Sequence, residues 1–107
     1  MASMTIKRRD TAPPFTATCT DADGDAVDIS NATIRFHMED SSGTVKVDAA
    51  ADIVLGTAGT VRYDWAAADT DTAGHFKAEV EVTFADGTVR TFPTTNFATV
   101  RIIGDLA

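Results

Sequence analysis

The chain has 107 residues, a hydrophobic fraction of 44% and a formal net charge of −7. That length supports a single domain with one core, and no apolar run is long enough to form a membrane-spanning helix. The charged residues are 13 Asp and 3 Glu against 6 Arg and 3 Lys, a balance that opposes binding to nucleic acid or an anionic membrane, because both need the opposite field.

Residues 1–14 read as an extended arm or first strand, and residues 15–107 as a single β-sandwich domain. Thr5, Ile6, Lys7 and Arg8 begin the arm, and Asp10 to Pro14 end it, since Pro13 and Pro14 remove backbone donors and force extended geometry. Lys7, Arg8 and Arg9 are not followed by an apolar segment, so Sec export is not expected. Phe15, Ala17 and Cys19 alternate with Thr16 and Thr18, which is the period of a strand with one buried face. An acidic turn around Asp23 and Gly24 follows, and Val27 and Ile29 resume the apolar face, with Cys19 expected near Val27 and Ala17 near Ile29.

Ile34, Phe36 and Met38 alternate with Thr33, Arg35 and His37 in a strong strand. A loop over Asp40, Ser41, Ser42 and Gly43 is expected to set Met38 against Val45 and Phe36 against Val47. Ile53 and Leu55 then face Val61 and Tyr63 across a glycine-rich turn, and Trp65 continues that face. Residues 66–73 form the one helix-compatible stretch, a short turn closed by Gly74.

The clearest alternation runs from Phe76 to Phe84, with Lys77, Glu79, Glu81 and Thr83 between the apolar positions. Two registers are open at Asp86-Gly87. A two-residue loop sets Val89 against Phe84 and leaves Phe92 outside, whereas a three-residue loop with Gly87 left-handed brings Phe92 inward together with Arg90. The first is favoured, with Phe92 crossing over at a bulge near Pro93. Ala98, Val100 and Ile102 close the chain with a last strand. About seven to nine short strands at near-regular spacing predict an all-β, antiparallel, immunoglobulin-like sandwich.

The chemistry-bearing residues are few. Asp21, Asp23, Asp25 and Asp28 are a weak calcium candidate, because closely spaced carboxylates can converge on a hard cation. Gly24 lies between these acids rather than after the third, and a solvated Asp-Gly turn accounts for the same residues. Cys19, the lone cysteine, alternates with apolar residues and reads as core. His37, His75, Glu79 and Glu81 read as surface residues, so no catalytic, cofactor or metal site is assigned and the chain is expected not to be an enzyme. The Asp-rich, Lys-poor composition fits a high-salt host and a high-GC genome equally.

Three segments carry a family resemblance: residues 7–15, then Asp21 to Gly24 with Val27 to Ile29, then Ala32 to Met38. Gly59 to Trp65, Thr72 to Gly74 and Phe84 to Thr88 follow in matching order. Together they resemble the small β-sandwich domains of tailed-phage virions, notably the N-terminal domain of upper baseplate proteins. The resemblance implies a non-enzymatic structural part of a tail, baseplate or head–tail neck, assembled in the host cytoplasm and located in the virion. Its implied partners are other virion proteins and copies of itself, with no nucleic acid and no membrane. The long stalk that follows this domain in upper baseplate proteins has no counterpart in these residues. Ile6, Arg8, Arg9, Pro13 and Pro14 are the expected interface. A cell-surface or carbohydrate-binding β-sandwich module is the alternative.

Overall fold

The computed structural model describes residues 3–93 and 97–104. Eight strands follow in chain order: β1 (Ser3–Lys7), β2 (Phe15–Thr18), β3 (Thr33–Asp40), β4 (Val45–Leu55), β5 (Thr60–Tyr63), β6 (Gly74–Thr83), β7 (Val89–Phe92) and β8 (Ala98–Ile103). They form an all-β sandwich in the order β1-β8-β6-β3-β4-β5-β2, with β7 beside β6. The larger sheet holds β1, β8, β7, β6, β3 and the first half of β4. The smaller sheet holds the second half of β4 with β5 and β2. β4 serves both sheets because residues through Ala51 pair with β3 and residues from Asp52 pair with β5.

The alternation in the sequence becomes the buried face. Ile34, Phe36 and Met38 on β3, Phe76, Ala78, Val80 and Val82 on β6, and Ala98, Val100 and Ile102 on β8 are all buried. Phe36 lies at the centre, stacked on Tyr63 at 4.5 Å between ring centroids and edge-on to Trp65 at 5.6 Å. Phe15 closes the group 4.9 Å from Phe36. Offset and edge-to-face pairs of this kind add to the stabilisation from buried area.

Several registers differ from expectation, and each difference has a local cause. Asp40 pairs with Thr44 around a three-residue loop, and Gly43 at φ 90° supplies the left-handed position. A bulge between Met38 and Glu39 and their β4 partners then shifts the ladder, so Met38 meets Val47 and Phe36 meets Ala49. At the Asp86 turn the three-residue loop prevails: Phe84 N–H donates to Thr88 O at 2.8 Å and Gly87 has φ 90°. Phe92 is therefore fully buried opposite Val80, without a crossover. Arg90 comes to the same face and lays its guanidinium over the Phe92 ring at 4.9 Å. Val27 N–H donates to Cys19 O at 2.9 Å as expected. Ile29, however, bonds to Gly56 O, and Ala17 pairs with Val61. The helix-compatible stretch is a single 3-10 turn, Ala67–Thr70. β1 runs parallel to β8, the one parallel pair among the described strands.

Candidate functional site

The N-terminal segment is tied into the domain. Ile6 is 4% exposed and belongs to the core. Arg8 N–H donates to Ile103 O at 2.8 Å, and Arg9 N–H donates to Thr70 O at 2.9 Å. Thr70, buried at the end of the 3-10 turn, donates its hydroxyl to Asp10 O at 2.9 Å. The Trp65 indole N–H donates to Pro13 O at 3.1 Å. Asp69 holds the turn from the other side by accepting the Tyr63 hydroxyl at 2.5 Å and the Ala66 N–H at 2.9 Å. Burial, followed by the Asp69 carboxylate, raises the Tyr63 phenol above its ordinary value. Of the expected interface residues, Ile6 is therefore occupied within its own fold, Pro14 is half-buried, and Arg9 and Pro13 are exposed.

The acidic turn brings together three of its four carboxylates. The ligand atoms of Asp21, Asp23 and Asp25 lie within 4.8 Å of one another, and Asp28 is outside that group. Asp21 Oδ1 accepts the N–H groups of Asp23 and Asp25 at 2.9 and 3.0 Å. The same pattern recurs at Asp40, whose Oδ1 accepts from Ser42 and Thr44 at 2.9 and 3.0 Å, in a loop without further acids. The Asp21 arrangement is thus the ordinary bonding of this hairpin turn. Asp28 instead accepts the Ser30 hydroxyl and N–H, which hold its carboxyl below the usual range.

The remaining chemistry-bearing residues are spread out. On the outer face of the larger sheet a shallow depression of about 310 Å3 is lined by His37, Glu39, Val45, Asp48, Lys77 and Glu79. Asp48 accepts from Arg35 Nε at 2.6 Å and lies 3.1 Å from His37 Nε2. The Arg35 hydrogen bond, with the charges of Arg35 and His37, holds the Asp48 carboxyl below its usual range. His75 lies on β6 opposite Arg101, near the sheet's β1 edge. Cys19 is fully buried; burial pushes its thiol up to about 11, against the opposing pull of the Arg90 charge. Burial thus disfavours the thiolate, the form in which a cysteine reacts.

The smaller sheet has a contrasting outer face. Thr16, Thr18, Thr20, Val54 and Thr60 line a shallow depression of about 530 Å3 that contains no charged side chain. Val54 and Leu55 beside it are 61% and 56% exposed. The sequence reading placed these residues only in strands or turns. The available signal was charge: none occurs from Thr11 to Thr20 or from Ile53 to Val61, and the fold brings these two runs together in one sheet.

No protein family and no curated protein matches the sequence. Among solved structures, the chain is similar to CopC from Methylosinus trichosporium OB3b, with a TM-score of 0.46 and 14% identity. The match covers 69% of this chain and 65% of that one, so it spans slightly under two thirds of CopC's length.

Proposed function

We propose that this chain is a non-enzymatic structural component of a tailed virus or prophage particle, in its tail, baseplate or head–tail neck. It acts by symmetric packing against copies of itself and against other virion proteins. The observation that carries the proposal is the surface: large apolar residues stand exposed on an otherwise strongly acidic chain. Val45 is 64% exposed, Val54 61%, Leu55 56% and Val89 55%, and exposed apolar groups beside sheet edges favour protein–protein contact. The resemblance to phage β-sandwich domains adds to this, because its residues include core positions such as Phe36, Met38 and Trp65 and turn positions such as Gly24 and Gly87.

The test is solution mass by analytical ultracentrifugation across a salt and concentration series, with electron microscopy of the heaviest species. Discrete symmetric oligomers are expected, growing with salt as the like charges are screened. A monomer under every condition would overturn self-assembly. The carbohydrate-binding alternative gains little from the surface, since Phe97 is the one large aromatic exposed among the described residues and Lys77 lies over its ring at 4.9 Å.

A further inference from the structure

The β1 edge of the larger sheet carries two short cross-strand rows. In the first, Arg101 on β8 stands opposite Thr5 on β1 and His75 on β6. In the second, Thr99 on β8 stands opposite Ser3 on β1 and Lys77 on β6. Alternation buries Ile6, Phe76, Val100 and Ile102 between these positions, and all six residues of the two rows are exposed. Ser3, Thr5, His75, Thr99 and Arg101, with Met4, line a depression of about 350 Å3. Its polar side chains are three hydroxyls, an imidazole and a guanidinium. Each can donate a hydrogen bond, and none is a carboxylate.

Arg101 differs from other cations of this molecule. Arg35, Lys46 and Arg62 each pair with an aspartate, and Lys77 and Arg90 lie over phenylalanine rings. Arg101 has neither kind of partner among the described residues. Acids stand elsewhere in the register. Glu39 faces Lys77, and Glu79 lies two residues beyond Lys77 on β6. Asp40, opposite Phe76, turns its Oδ1 into its own loop, where it accepts from Ser42 and Thr44. None of the three lines the depression.

We propose that this depression binds a tetrahedral oxyanion, phosphate or sulfate, either free or as the terminal group of a monoester. The net charge of −7 repels anions at long range, but salt screens that field beyond about 8–10 Å. Local donors therefore decide where an anion rests. The Arg101 guanidinium offers a planar fork that takes two oxygens at once. Neighbouring strands lie about 4.8 Å apart, and alternate residues of one strand about 6.6 Å apart. Thr5 beside Arg101 and Thr99 one pleat repeat before it are thus placed to donate to the remaining oxygens. His75 completes the row from the other side and adds a positive charge when protonated. A carboxylate has only two oxygens, which the fork alone would occupy, so the surrounding hydroxyls favour the tetrahedral anion. The site lies within one copy and does not depend on self-assembly.

The test is an NMR titration of amide shifts in the intact chain, with sodium chloride at matched ionic strength as reference. Sodium sulfate and sodium phosphate should give saturable shifts centred on Thr5, His75, Thr99 and Arg101, and sodium acetate should bind more weakly. Saturation by methyl phosphate as well as by inorganic phosphate assigns a terminal monoester, and saturation by the inorganic ions alone assigns the free anion. Arg101→Ala should weaken binding at least about tenfold. Arg62→Ala, which removes the same charge from the smaller sheet, should leave it within about twofold. Thr99→Val, which keeps the side-chain shape and removes a hydroxyl, should weaken it about threefold or more without altering the fold. Shifts no different from those in chloride would overturn the site. Equal losses in Arg101→Ala and Arg62→Ala, or acetate binding as tightly as sulfate, would overturn it too.

Discussion

The two sheets use their outer faces differently. On the larger sheet Arg35 pairs with Asp48, His37 Nε2 lies 3.1 Å from the same carboxylate, and Lys46 reaches from β4 to Asp71 at 2.5 Å. On the smaller sheet the Arg62–Asp64 pair at 2.8 Å is the one ion pair among the described residues; Arg62 stands opposite Thr16, and Thr18, Thr20, Val54 and Thr60 make the rest of the face beside β2. Exposed ion pairs contribute little stability, but they keep a face hydrated and discourage sheet-on-sheet contact. The larger sheet thus carries most of the ion pairs found among the described residues, although Val45 and Val89 on it are also exposed.

Perturbing the core that the sheets share should have the largest effect. Phe36 projects from the larger sheet into Phe15, Tyr63 and Trp65. Phe36→Ala should cost about 3–5 kcal/mol, the range for removing a buried ring, and urea titration would measure it. A loss below about 1 kcal/mol would show that the two layers do not depend on this cluster.

Glycine substitutions separate the sheets more directly. Gly59, in the turn of the smaller sheet, has φ 70°, and an added Cβ would lie 2.7 Å from Cys19 O and 2.8 Å from Val27 O. Gly87, in a turn of the larger sheet, also has positive φ, but nothing lies within 4 Å of its Cβ position. Both alanine variants carry backbone strain of about 1 kcal/mol or more, and only Gly59→Ala adds a clash with two backbone carbonyls. Gly59→Ala should therefore exceed Gly87→Ala by at least about 1 kcal/mol in the same titration. Equal losses would mean that the smaller sheet's turn relaxes freely.

Tyr63→Phe should cost about 1–3 kcal/mol, because it leaves Asp69 without the phenol while the ring keeps its place against Phe36. Asp69→Ala should cost at least as much, since Ala66 N–H also loses its acceptor. If Tyr63→Phe proves neutral, this hydrogen bond does not help fix the 3-10 turn to the smaller sheet.

The strands were legible because Phe36, Val80 and Val100 each lie in runs of period two, and the sandwich follows once such runs must bury one face. Register was less legible. Sequence does not show whether Gly87 ends a two- or three-residue loop, and a single-residue bulge near Lys46 displaces the β3–β4 ladder. The Ala49, Ala50 and Ala51 run has no alternation, so nothing in the sequence joins the pairing of Val45 and Val47 to that of Ile53 and Leu55 as one strand crossing between sheets. At the acidic turn the convergence of Asp21, Asp23 and Asp25 was readable from spacing. The separation of Asp28 was not, because Val27 bonds back to Cys19 and sends the following residues toward Gly56. The ties from Trp65 to Pro13 and from Thr70 to Asp10 span more than fifty residues and leave no local pattern. For the same reason the sequence left open whether the first residues form an arm or a strand, and did not show how residues 8–13 are tied to the domain.

The smallest effect is electrostatic and divides ion pairs from turns. Asp48 on the larger sheet is held below its ordinary value mainly by Arg35, while Asp40 and Asp86 are held down by the Ser42 and Thr88 hydroxyls in their hairpins. A carboxylate depressed on folding adds stability above its unfolded pKa of about 3.9 and loses it as pH falls through the folded value. Stability should therefore decline on acidification below about pH 4. Asp48→Asn should soften that decline slightly, and Asp86→Asn should do the same. Salt tells them apart: roughly 1 M salt should shrink the Asp48→Asn difference, because an exposed ion pair is screened. The Asp86→Asn difference should persist, because its partners are a hydroxyl at 2.7 Å and a backbone N–H at 2.9 Å. Urea midpoints of both variants at neutral and acidic pH, with and without salt, make the measurement. If both differences vanish in salt, the hairpin carboxylates act as charges rather than as hydrogen-bond acceptors, and the contrast between the sheet's ion pairs and its turns fails.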